Sequence, residues 1–202
     1  AYLEILSYRE KKLRRWINTL SLIPFLPFYL LLDEISREKF IEIFHHRYKN
    51  VPQSELAAWA SQTGDQFWIH RLYRDARQRL DWHKNRGHKV VLISGGLEPI
   101  LEPLARVLTP DALIAAQPEI QDGLLTGNLL DGVLSGPRKA HEAHVIAETL
   151  GIDLTQSYAY ADSRADIDLL EAVGHPIAIN PDRYLKKISN RRGWPIKIWT
   201  LE

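Results

Sequence analysis

HKVVLISGG, residues 88–96, sets a continuous apolar run, Val90 to Ile93, directly against a hydroxyl and two glycines. A short unbroken apolar run bounded by turn residues is the pattern of a strand buried on both faces, as in a parallel sheet. Immediately upstream, FWIHRLYRDARQRLDWHKNR (67–86) is expected to form one helix, ended by Gly87 as a left-handed C-cap. Helix followed by buried strand is the repeating step of an α/β sheet.

The alternation continues downstream through a helix near Leu97 to Val107, a strand DALIAA (111–116), a helix KAHEAHVIAETLG (139–151) and a strand SYAYAD (157–162). Two further apolar runs, PIAIN (176–180) and PIKIW (195–199), follow. The expected architecture is α/β, a parallel sheet covered on both faces. QDGLLTGNLLDG (121–132) interrupts it as a β-hairpin, with Gly123 and Gly127 as turn positions. Before residue 64 the pattern is helical only: the basic run REKKLRRW (9–16), the apolar SLIPFLPFYLLL (21–32) and ISREKFIEIFHHRY (35–48). Ser36 is expected as an N-cap, and a further helix is expected to open at Glu55.

The chain has 202 residues, 45% of them hydrophobic, enough to bury a core. Lys+Arg 26 against Asp+Glu 25 leaves a formal net charge of +1, so any basic function must be local, and no base-reading motif is present. Nucleic acid is therefore not an expected partner. Cys 0 excludes disulfides, thiolate metal sites and a cysteine nucleophile and suits a cytoplasmic location. SLIPFLPFYLLL is shorter than the roughly 20 residues of a spanning helix and carries Pro24 and Pro27, so stable membrane insertion is not expected. A peripheral contact through REKKLRRW and SLIPFLPFYLLL is a weaker alternative. Met 0 and a first residue of Ala1 point to a start that lies upstream. Nothing in the chain sets its oligomeric state.

In open α/β sheets ligands bind at the carboxyl ends of strands, so chemistry is sought just after each apolar run. Ser94-Gly95-Gly96 is either a tight strand-to-helix turn or a place where backbone N–H groups approach an anion. Asp162, Ser163 and Asp166, with Asp168 beyond, are either helix-capping acids or oxygen ligands for a hard cation such as Mg²⁺. Arg138 and Lys139 open a helix, where cations oppose the helix dipole; a lysine there can neutralise phosphoryl oxygens or hold a carboxylate. His45 and His46 are adjacent and face different sides, while His141 and His144 lack a carboxylate to complete a zinc set. Trp82, Trp194 and Trp199 are expected to close the edges of the core.

Taken in order, strand-SGG, GPRKA (136–140), strand-ADSRADIDLL (161–170) and AINPD (178–182) resemble the second, third and fourth motifs of haloacid dehalogenase-like (HAD) phosphatases, most closely the phosphoserine phosphatase-like branch. The resemblance extends to RGHKVVLISGGLEPILEPLA (86–105) and GHPIAINPDRYLKKISNRRGWPIKIW (174–199). It implies a Rossmann-like parallel core over 67–202 and a small helical cap over 1–66. It implies a Mg²⁺-dependent phosphomonoesterase acting through an aspartyl-phosphate on a small or lipid-like phosphate ester. Carried onto matching positions, Ser94 and Gly95 bind the phosphoryl group, Lys139 stabilises its charge and the nucleophile, Asp162 ligates Mg²⁺, Asp166 supports the metal shell with Ser163 nearby, and Asn180 lies at the rim. Ala161 stands where the family writes glycine.

The family's first motif, Asp-x-Asp-x-Thr/Ser after an apolar strand, which carries its nucleophile and general acid, is nowhere in the 202 residues. Asp33-Glu34 after FYLLL falls where the cap belongs and is rejected as a substitute. The nucleophile is expected upstream of Ala1; the alternative is an inactive pseudophosphatase that binds a phosphorylated ligand.

Overall fold

The computed structural model describes residues 37–200. The expectations for REKKLRRW, SLIPFLPFYLLL, Asp33 and Ser36 fall outside the described residues. Chain contacts gather into two compact units, whose described parts are 37–69, 95–108 and 115–133 in the first, and 70–94, 109–114 and 134–200 in the second.

The first unit begins with α1 (Arg37–His46) and α2 (Gln53–Trp59), continues through a π-helical turn (Ala60–Gly64) into α3 (Asp65–Ile69), and later contributes α5 (Glu98–Leu108). Helix α2 starts two residues before the expected Glu55, with extended Pro52 as its N-cap, because proline fixes φ yet leaves its carbonyl free to accept. Tyr48, Val51, Leu56, Trp59, Leu97, Ile100 and Leu125 form the core. Gly64 is dictated by α5: a Cβ there would stand 2.3 Å from Cγ of buried Pro103. The Trp68 indole donates to the Ile100 carbonyl at 2.9 Å, and Arg106 reaches the Ala60 carbonyl and Asp65.

The expected hairpin is present in this unit as β3 (Pro118–Gln121) and β4 (Leu124–Leu129), antiparallel, with Ile120 opposite Leu125. Its two-residue turn is Asp122-Gly123, both at positive φ, the type I′ geometry that hairpin twist favours. Gly127 is not a turn residue. It lies inside β4 at φ 89, where a Cβ would meet the His46 Cα at 3.1 Å, so close approach of α1 excludes a side chain.

In the second unit, α4 (Arg74–Lys84) leads to β1 (Val91–Leu97), which pairs with β2 (Ala112–Ala116); residues 95–97 and 115–116 of these strands are counted with the first unit. The single expected helix over 67–86 is two: residues 70–73 break it, with Tyr73 extended at ψ 137 ahead of α4. Gly87 does adopt the left-handed conformation, at φ 70. Helix α6 (Pro137–Leu150) then precedes β5 (Tyr158–Ala161), a 3₁₀ turn (Arg164–Asp166), α7 (Ile167–Glu171), β6 (His175–Ile179), α8 (Arg183–Arg192) and β7 (Ile196–Lys197). Strands β5, β6 and β7 form a parallel sheet, Tyr160 opposite Ile177 and Ala178 opposite Ile196. Its core is Ala159, Leu170, Ala178 and Leu185, with Trp194 and Ile196 packed against them. The architecture is α/β with parallel strands, as the apolar runs imply.

Strand β1 departs from its expected full burial: Val91 to Gly96 are all half-buried. Among the described residues β1 pairs with β2 and β5 with β6.

Candidate functional site

Helix α6 explains the position of Lys139. Lys139, Ala143 and Ala147 recur every fourth residue and form the helix's buried stripe, so the lysine is carried inward at the stripe's N-terminal end. It is 9% exposed and donates through Nζ to Oδ1 of Asp166, itself 7% exposed. A cation in the first turn opposes the helix dipole, and the carboxylate across from it is the compensation. Nζ carries three N–H donors, and Asp166 accepts from one of them.

The turn before α6 is tied to the turn after β5. Gly136 N donates to the Ala165 carbonyl at 2.8 Å, with Gly136 at φ 53 and ψ −130, a conformation essentially confined to glycine. A Cβ at Gly136 would also press on Oδ2 of Asp168 at 3.4 Å. Asp168 therefore faces this turn. Ser163 caps the 3₁₀ turn by accepting from Ala165 N at 3.3 Å, which holds Asp166 in place.

Asp162 follows the last residue of β5 and is exposed. Its carbonyl accepts from Asp182 N at 2.8 Å. In return the Asp182 carboxylate accepts from Arg164 N and from Leu185 N, both at 2.7 Å, as the N-cap of α8. The loops after β5 and β6 are thus clamped by one side chain. Sequence reasoning passed over Asp182, although an acid before RYLKKI is an N-cap signal.

Asn180 takes φ 44, a left-handed conformation that asparagine tolerates. Its side-chain amide donates to the Trp199 carbonyl and accepts from Trp199 N, each at 2.9 Å, so both ends are engaged by the segment after β7. Ser94 and Gly95 lie within β1 rather than after it: the strand runs through SGG to Leu97 and α5 begins at Glu98. Ser94 belongs to the second unit, with Lys139, Asp162, Asp166 and Asn180, and Gly95 to the first. His45 is buried and His46 exposed, on different faces of α1.

The donor set suits a hard cation in part. Asp162 is an exposed acid with oxygen atoms of the kind Mg²⁺ takes, and Asp166 pairs with Lys139. Among the described residues no three His, Asp or Glu side chains gather closely enough to hold a metal by themselves. Mg²⁺ commonly binds one or two carboxylates and completes its octahedron with water and phosphate oxygens, so Asp162 fits as one ligand of such a site.

The family model for haloacid dehalogenase-like hydrolases matches residues 2–171. The chain is 36% identical over 126 residues to the inhibition of morphological differentiation protein of Streptomyces azureus, covering 62% of this chain and 45% of that one. It is 31% identical over 144 residues to phosphoserine phosphatase SerB1 of Mycobacterium tuberculosis, covering 71% of this chain and 47% of the relative. Among solved structures, a protein of unknown function from Bordetella pertussis Tohama I superposes with a TM-score of 0.77 at 26% identity, over 96% of this chain and 87% of that one. The chain spans about half the length of the curated relatives it matches.

Proposed function

The chain belongs to the haloacid dehalogenase-like hydrolase family, and from that premise we propose that it carries the phosphate grip and part of the metal site of a phosphoserine phosphatase-like phosphomonoesterase. The observation that carries the reading is the buried Lys139–Asp166 pair, placed by the linked turns before α6 and after β5. A cation held in a nearly dry, preorganised position is suited to charge that builds on a transferring phosphoryl group. Kinship with SerB1 of Mycobacterium tuberculosis, named as a phosphoserine phosphatase, supports a small phosphate ester as substrate.

In this mechanism Ser94 and the Gly95 backbone N–H donate to phosphoryl oxygens. Lys139 gives one N–H to Asp166 and turns its remaining donors to the phosphoryl group and the attacking carboxylate. The carboxylate displaces the alcohol to form an aspartyl-phosphate, and water then cleaves that acyl phosphate to release inorganic phosphate and restore the carboxylate. Asp162 would hold Mg²⁺, with Asp166 and Ser163 supporting its surroundings; when bound, the ion would supply charge neutralisation for the phosphoryl group. Asn180 acts by fixing the rim through Trp199. Residues 1–66 serve as the cap that selects substrate, and 67–202 as the core.

The attacking carboxylate is assigned to a segment outside these 202 residues. Support comes from the lack of an Asp-x-Asp-x-Thr/Ser motif in the chain. The same lack favours the second reading, a pseudophosphatase that binds a phosphorylated ligand without turnover. Assaying phosphate release by the full-length protein with and without Mg²⁺ separates the two: Mg²⁺-dependent release lost in Asp162→Asn supports the enzyme, and phosphate binding without release supports the pseudophosphatase.

A further inference from the structure

Helix α8, RYLKKISNRR, carries five cations and no acid. Leu185 and Ser189, both fully buried, fix its inner face. At 100° per residue the opposite face presents Arg183, Lys187 and Arg191, with Asn190 among them and Lys186 on the flank, all exposed. Arg192 is turned aside to pair with Glu171 and lie over Trp194. Among the described residues no ion pair joins Arg183, Lys186, Lys187 or Arg191 to an acid. Arg183 also stands in the first turn, against the helix dipole, so its charge is not there to stabilise the helix.

The same corner exposes apolar groups. Tyr184 is 56% exposed at the margin of the cationic face, and Ile198 is 72% exposed. Ile198 is held near the start of α8 because its neighbour Trp199 is bonded to Asn180. In a chain of net charge +1, cations without an ion pair among the described residues share a helix with exposed Tyr184, and exposed Ile198 adjoins the residue tied to Asn180 ahead of that helix. We infer that this face of α8, with Tyr184 and Ile198, docks on an anionic phospholipid surface.

Charge complementarity selects an anionic partner, and the apolar groups select lipid over nucleic acid. A nucleic-acid surface has no use for a bare isoleucine, and the Arg164 guanidinium lies 5.9 Å from the Tyr184 ring centre, where a base would stack. At a bilayer, lysine and arginine engage headgroups while tyrosine and isoleucine enter the interfacial layer. Such docking is peripheral: among the described residues no helix is long and apolar enough to cross a membrane. Asp182, the N-cap of α8, clamps the loop of Asp162, so the docked surface adjoins the proposed metal ligand.

The test is co-sedimentation of full-length protein with vesicles of phosphatidylcholine, alone or with about a third phosphatidylserine, a composition that supplies the surface charge the proposal needs. Lys187→Glu is compared with Lys49→Glu, an equal charge change on an exposed residue of the first unit. Binding is expected only to the anionic vesicles, weakened by about five-fold or more in Lys187→Glu, since each basic residue near such a surface contributes about that factor. Lys49→Glu should bind as the wild type does, and Ile198→Ser should weaken binding at unchanged salt dependence. Absence of anionic-vesicle binding, equal weakening by the two lysine changes, or binding only to duplex DNA would each overturn the inference. None of these readouts depends on turnover, so failure here leaves the phosphatase reading standing.

Discussion

Replacing either member of the Lys139–Asp166 pair alone should be far more damaging than replacing both. The side chains are 11% and 10% exposed, so Lys139→Met leaves a buried carboxylate without its cation, and Asp166→Asn leaves a buried ammonium without its anion. Breaking a buried pair in this way costs about 3–5 kcal/mol, against a total stability of roughly 5–15 kcal/mol for a domain. The double change Lys139→Met with Asp166→Leu removes both charges and fills similar volume, which is commonly neutral or stabilising. In urea, with a slope of about 2 kcal/mol/M, each single variant of the full-length protein should unfold about 2 M earlier, and the double variant close to the wild type. Single losses within about 0.5 kcal/mol, the behaviour of an exposed ion pair, would refute the buried-pair reasoning. So would a double variant whose loss equals the sum of the singles.

Two histidines give the fold a pH dependence of definite sign. Burial holds His45 at about 4, and burial together with His88, Arg79 and Arg86 holds His83 at about 4, both below the ordinary 6.5. Between pH 4 and 6.5 the unfolded chain binds more protons at these sites, so their contribution is complete above about 6.5 and is lost as pH falls towards 4. At pH 5 the loss is about 2 kcal/mol for His45 and smaller for His83, whose charge solvent screens more, and urea midpoints measured at pH 7.5 and 5 should show it; a midpoint unchanged or higher at pH 5 would contradict the assignment. Asp182→Ala removes acceptors for both Arg164 N and Leu185 N and should cost about 2–3 kcal/mol, while Asp182→Asn recovers most of it. Equal losses in the two Asp182 variants would show that the clamp is not the cause.

Legibility in the sequence followed the range of the forces involved. The apolar runs at 158–161 and 175–179, the helix from Pro137, and the turns at Gly87 and Gly123 were readable because their signals are local. The break at residues 70–73 was not, since a helical pattern runs through it and only Tyr73's extended backbone ends it. Gly127 was misread as a turn because its need for glycine comes from α1, distant in sequence. At the site, Lys139 drew notice as a cation opposing a helix dipole, and its partner Asp166 resolves that conflict. Asp182 and the amide of Asn180 escaped notice as structural ties because their partners, Arg164 and Trp199, lie 18 and 19 residues away.

The most direct test of the phosphatase reading is phosphate release from phosphoserine and other small phosphomonoesters by the full-length protein, measured with Mg²⁺ and with chelator. Release that requires Mg²⁺ is expected, falling by about 100-fold or more in Lys139→Met, as for loss of a preorganised charge-stabilising donor, and abolished in Asp162→Asn. Release that persists undiminished in chelator or in folded Asp162→Asn would contradict the assignment of this site.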